Sequence, residues 1–168
     1  MPALLLYGDT ERSPAVRHEI PLAIGDGLLF AEVDDRRTIL TSWLERDRIA
    51  SALPEAEILD FNDLGMRTLV EEGMDRLGAE REVVLRAVRR LGIGEAVVPG
   101  DFPLAIADRL RADGIVLTVD DDAVAARRRV KAGAELDGIR AAQRAAHAAT
   151  ARAAELLAGA EIGPDGNL

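Results

Sequence analysis

The chain has 168 residues, 48% of them hydrophobic, and a formal net charge of −9. That length holds one domain with its own core plus some extra, and the composition excludes a disordered chain. An acidic surface repels phosphate backbones, and only 3% aromatic residues leaves little to stack on bases, so nucleic acid is not an expected partner.

Cysteine is absent, which removes disulfides and thiolate chemistry and fits a cytoplasmic location. No apolar run approaches the roughly 18 residues of a membrane span. The opening MPALLLYGDTERS has neither a basic leading segment nor a cleavage-like site, so it does not read as a signal peptide.

In chain order, ALLLYG (3–8) is an apolar run bounded by Asp9, Thr10 and Pro14, and predicts a strand. GDTERSP (8–14) and VRHEIPLAIGDG (16–27) read as loops. LLFAEV (28–33) and RTILTSW (37–43) predict a hairpin with Asp34 and Asp35 as turn residues. LERDRIASAL (44–53) predicts a helix stopped by Pro54, and EILDF (57–61) a strand. DLGMRTLVEEGM (63–74) predicts a helix weakened by Gly65. AEREVVLRAVRRLG (79–92) sets Val83, Val84, Ala87, Val88 and Leu91 on one face, with Gly92 as a C-cap. AVVP (96–99) and GIVLTV (114–119) predict strands. Between them PLAIADRLRAD (103–113) predicts a helix with Asp101 as a possible cap. DDAVAARRRV (121–130) puts carboxylates first and arginines last, matching the helix dipole. Strand, hairpin, then alternating helix and strand predict an α/β domain: a mixed six-stranded sheet flanked by helices, its first three strands an antiparallel meander.

A long helix follows, from Ala134 to Ala158, about 37 Å in length. Leu136, Ile139, Ala142, Ala146, Ala149, Ala153 and Leu156 form one stripe on it, with Arg140, Arg144 and Arg152 off the stripe. Most of the stripe is alanine, which lets a partner approach closely. The domain before it is already complete, so the ridge is expected to meet further chain or a second copy. Pro164 and Gly166 punctuate a closing loop, and the chain reads as one cut just after a domain boundary.

The α/β domain followed by RRRVKAGAELDGIRAAQRAAHAATARAAELLAGAEIGPDG resembles the boundary region of the Xaa-Pro peptidase, prolidase and creatinase family. The matching positions are Arg128, Arg129, Lys131, Glu135, Leu136, Ile139, Arg140, Ala142 and Ala146, then Pro164 and Gly166. The resemblance implies a creatinase/prolidase N-terminal domain with a ribonuclease H-like motif over residues 1–126. It implies an interdomain linker at 127–133, and the first helix and turn of a truncated catalytic domain at 134–168. It implies a following pita-bread domain in which two aspartates, one histidine and two glutamates hold two divalent metals (Mn, Co or Zn) that activate a bridging water. Those ligands would lie beyond Leu168, so the resemblance places no catalytic or metal residue in this chain. Its implied role here is oligomerisation, as a homodimer, and roofing of the active site against all but short proline-containing peptides. Where family members carry an RYLTGF-like stretch, Arg17 and His18 stand in as a substrate-access loop. The turn departs from the family's Thr-Glu, with Asn167 and Leu168 instead.

Other candidates read more plainly. HEIPL (18–22) begins like a zinc helix signature, but its second histidine is Leu22, and Pro21 breaks the helix. His147 has no histidine neighbour. Asp120, Asp121 and Asp122 read as a turn and helix cap. Ser13 has no base-and-orienter pair, and no P-loop or GxGxxG occurs. Arg86, Arg89, Arg90 and Arg127 to Arg129 read as solvated helix faces. Two further readings stay open: a self-contained dimerisation or small-ligand-binding α/β module, and a nuclease using Asp9, Glu32, Asp60 and Asp120 on two magnesium ions.

Overall fold

The computed structural model describes residues 2–160. The chain divides after Arg129 into two units. The predicted turn with Pro164 and Gly166, and Asn167 and Leu168 after it, lie outside the described residues.

The first unit holds six strands: β1 (Ala3–Gly8), β2 (Leu28–Val33), β3 (Arg36–Thr41), β4 (Glu57–Asp60), β5 (Glu95–Val98) and β6 (Val116–Val119). Its helices are α1 (Pro14–Glu19), α2 (Trp43–Ala52), α3 (Met66–Glu71), α4 (Arg76–Arg90), α5 (Leu104–Ala112) and α6 (Asp121–Arg129). The sheet order is β4-β3-β2-β1-β5-β6. β1, β2 and β3 form the antiparallel meander, and the remaining neighbours pair in parallel, so β2 alone runs against the rest.

β1 and β2 are nearly unbroken apolar runs because both sheet faces are covered. Side chains alternate between faces. Leu5, Leu29, Leu40, Leu59, Ala96 and Val98 join α3, α4 and α5 on one side. Leu6, Leu28, Phe30 and Ile39 join α1, α2 and α6 on the other. The stripe on α4 is buried as its period requires: Val83, Val84, Ala87 and Val88 are fully covered, with Leu91 packed beside them.

Asp34 and Asp35 form the two-residue hairpin turn, with φ of 48° and 62°. Both central residues of a type I′ turn need positive φ, and aspartate tolerates it. α3 is shorter than predicted. Gly65 precedes it with φ +92°, and a Cβ there would lie 2.5 Å from the Arg86 guanidinium that donates to Leu64 O at 2.9 Å. α4 starts earlier than predicted because Asp75 accepts a hydrogen bond from Gly78 N at 2.9 Å. Asp101 does not cap α5; Pro103 occupies the cap position.

The largest departure is α1, in a segment read as loop. Ser13 Oγ accepts from Val16 N at 3.3 Å, Pro14 sets the first helical φ, and Ala15, Val16 and Glu19 are buried. Ser13→Ala should cost about 1 kcal/mol, read as a lower urea midpoint at unchanged m-value.

The second unit contains α7 (Gly133–Ala158), 26 residues long. Glu135 reaches back to accept from Ala132 N at 2.8 Å, closing its first turn. Arg140 pairs with Asp137 and Arg152 with Glu155, each at 3.1 Å. No residue of α7 is buried.

Candidate functional site

The ridge predicted on the long helix is present as a face of α7. Leu136, Ile139, Ala142, Ala146, Ala149 and Ala153 are all exposed, with Ile139 52% accessible. His147 lies on the same helix, its Nε2 2.9 Å from Gln143 Nε2.

Arg17 and His18 do not lie on a loop. Both belong to α1, where Arg17 is exposed and His18 half-buried. Their neighbour Glu19 turns inward and is buried. The signal for this was Ser13-Pro14, a cap followed by a first-turn proline, ahead of apolar Ala15, Val16 and Ile20.

Glu19 belongs to an ion cluster that the sequence did not disclose. Arg127 Nε donates to Glu19 Oε1 at 2.6 Å, and its two terminal nitrogens donate to Glu32 Oε1 and Oε2 at 2.7 and 2.9 Å. Arg37 reaches Glu32 at 3.3 Å. The cluster ties α6 to α1 and β2. Hydrogen bonds from Arg127, then its charge, hold the Glu32 carboxyl below the usual carboxylate range against the opposing effect of burial. The Glu19 and Glu32 hydrogen bonds raise Arg127 further above its ordinary value. Arg127 thus lies within α6, which continues to Arg129, with its half-buried side chain paired and not on a fully solvated helix face.

Beside this cluster runs a groove of about 510 Å³. Leu4 and Val97, register partners on β1 and β5, line it together with Asp34, Asp120, Glu32 and Arg127. No hydroxyl, imidazole or amine is among its lining groups in the described residues. It offers apolar contact beside acidic and basic side chains.

The four nuclease carboxylates do not converge. Asp9 accepts from Glu11 N and Arg12 N at 2.9 and 2.7 Å and from Arg12 Nε at 2.8 Å; the Arg12 amide leads in lowering its pKa. Asp60 accepts from Asn62 N at 2.7 Å and Asp120 from Ala123 N at 2.8 Å, the latter as the predicted cap. Asp9 follows β1 and Asp60 ends β4, three positions apart in the sheet, about 14 Å. Glu32 sits opposite Leu4, toward the other end of β1. Among the described residues, no three His, Asp or Glu side chains are grouped to hold a metal ion. The two metals implied by the family resemblance therefore have no fitting site in these residues.

Comparison with solved structures gives the architecture a place. The chain aligns with an X-Pro aminopeptidase from Thermotoga maritima MSB8 at TM-score 0.61 and 16% identity, over 97% of this chain and 42% of that one. A Xaa-Pro dipeptidase from Bacillus anthracis aligns at TM-score 0.55 and 15% identity, over 80% of this chain and 33% of that one. The prolidase from Pyrococcus horikoshii OT3 aligns at TM-score 0.53 and 15% identity, over 82% and 33%. This is a fold of solved Xaa-Pro peptidases. The chain spans a third to two-fifths of the length of those peptidases. No family model matches the sequence, and no curated protein matches it. No helix among the described residues is long and apolar enough to cross a membrane.

Proposed function

We propose that this chain is the non-catalytic N-terminal part of a metal-dependent, cytoplasmic Xaa-Pro dipeptidase or aminopeptidase. The observation that carries the reading is the shared fold over only a third to two-fifths of the solved peptidase chains. In this reading residues 1–126 form the N-terminal domain, 127–133 the connection, and 134–168 the first helix and turn of the catalytic domain. The ridge of Leu136, Ile139, Ala142, Ala146, Ala149 and Ala153 then receives the remainder of that domain or a second subunit. Arg17 and His18 stand on the approach used by short proline-containing peptides, and the assembled enzyme is a homodimer. In this reading the two metals would be held by a catalytic domain outside these residues, where they would polarise the scissile carbonyl and lower the pKa of a bound water.

The test reads the coding sequence beyond Leu168 and assays its full-length product on Xaa-Pro peptides. The expected frame continues into two aspartates, one histidine and two glutamates. Hydrolysis should disappear with EDTA, return with Mn²⁺ or Co²⁺, and be absent from residues 1–168 alone. A stop codon directly after Leu168, or a full-length product inert with every metal, overturns the reading. The groove over Leu4 and Val97 favours the second reading, a self-contained small-ligand-binding module.

A further inference from the structure

α6 is the last element of the first unit, and the chain divides directly after it. It is thinly anchored by apolar contact. Val124 is buried, and the rest of the helix is half-buried or exposed. The strand that leads into it, β6, is exposed or half-buried along its length. By contrast α4 buries Val83, Val84, Leu85, Ala87 and Val88. A helix of 9 residues is also too short to persist by itself, since isolated helices below roughly 12 residues are marginal in water. Docking must therefore hold α6 in shape.

Its two ends are docked differently. At the start, Asp121 Oδ1 accepts from Gly100 N and Asp120 Oδ1 from Ala123 N, both at 2.8 Å. Toward the other end, the Arg127 guanidinium is shared between Glu19 on α1 and Glu32 on β2. Its three hydrogen bonds, of 2.6, 2.7 and 2.9 Å, are all charge-assisted and so stronger than neutral ones. One ionic clamp and one valine thus fix the half of α6 that leads to the second unit.

We propose that α6 is a latch that sets the length of the connection between the two units. Closed, Arg127 clamps it to α1 and β2, and the connection to α7 runs only from Val130 to Ala132. Open, Arg127 leaves both carboxylates and α6 melts while the sheet and the other helices stay folded. The connection then runs from Asp120 to Ala132. Both carboxylates have an alternative when the guanidinium leaves, which makes this opening separable from unfolding. Glu32 keeps Arg37 on β3, whose Nε lies at 3.3 Å. Glu19 sits on α1, against which α6 packs, so departure of α6 admits water to it. Elements with few buried contacts are the ones that open locally. The latch lies within the first unit, so it can fail while the peptidase reading stands, and the reverse.

The test is native-state hydrogen exchange of residues 1–168 in low urea. In wild type the amides of Ala125 to Arg129 should share one opening event, with weaker protection and a smaller urea dependence than those of Val83 to Val88 on α4. Arg127→Met keeps an apolar stem and removes the clamp. It should speed exchange of the α6 amides about 100-fold while α4 stays protected. Arg127→Lys keeps the charge without the planar fork and should fall between the two. The chain has no cysteine, so Ser51→Cys on α2 and Ala145→Cys on α7 can carry a dye pair for single-molecule energy transfer. The distribution of distances should broaden when Arg127→Met is added. Wild-type α6 amides that open only together with α4, at the same free energy and urea dependence, overturn the proposal, and that reading needs no variant to fold. So does a folded Arg127→Met protein whose α6 amides keep wild-type protection, or whose dye distances are unchanged.

Discussion

Arg127→Ala should destabilise the first unit by about 3 kcal/mol. That is the low end of the cost of removing one partner from a buried ion pair, because the Arg127 side chain remains 31% exposed. The loss comes chiefly from what stays behind. The Glu19 side chain is only 5% exposed and would lose its guanidinium partner, while Glu32 would keep only the longer contact from Arg37. The sign of the pH dependence follows from Glu32, whose pKa is depressed in the folded protein. Such a group stabilises above its unfolded pKa of about 4.3, and that contribution is lost as pH falls through the folded value. Wild type should therefore lose this stabilisation on acidification. The variant has little of it to lose. Urea unfolding at about pH 7 and about pH 4 should show the gap between the two proteins narrowing at the lower pH. A gap of equal size at both would mean that Arg127 acts through packing and not charge.

Phe30→Ala should cost about 3–5 kcal/mol, a large part of the roughly 5–15 kcal/mol that holds a domain folded. Phe30 is fully buried at the middle of β2, between Leu6 on β1 and Ile39 on β3. It lies in the core layer that α1, α2 and α6 also enter. The deletion thus opens a cavity in that shared layer, and the sheet restrains its surroundings from closing the gap. Phe30→Leu keeps most of the volume and should cost well under half as much. Both values come from urea midpoints at constant m-value. A Phe30→Ala cost below about 1 kcal/mol would show that the helices collapse onto the cavity.

These two residues also show what a sequence makes legible. Phe30 sits in LLFAEV, whose apolar run and following Asp34-Asp35 announce a buried strand and its turn without reference to any distant residue. The six strands, the meander and the face of α4 were readable for the same reason: their signals are periodic and local. Arg127 was not readable in this way. It stands in a run of three arginines that looks like a solvated helix end, and its partners are Glu19 and Glu32, which periodicity cannot bring together. α1 was missed for a different reason: six residues present less than two turns of pattern, so only the Ser13-Pro14 start betrays it. Arg17 and His18 were consequently placed on a loop. The ridge of α7 was visible in full because a helical stripe is a property of one segment, whereas its occupant is a property of another.

The placement of β1 between β2 and β5 has a consequence for how the chain is born. The β2 side of β1 can be satisfied early, once the hairpin partner emerges. Its other side waits for Ala96 and Val97 to reach Ala3 and Leu4, about ninety residues later. At about 5–20 residues per second of synthesis, that side stays open for roughly 5–20 s. During this interval a nascent four-stranded ribbon of β1 to β4 presents an apolar seam inside the cell, which a holdase or a neighbouring nascent chain can occupy before α4 and β5 arrive to seal it.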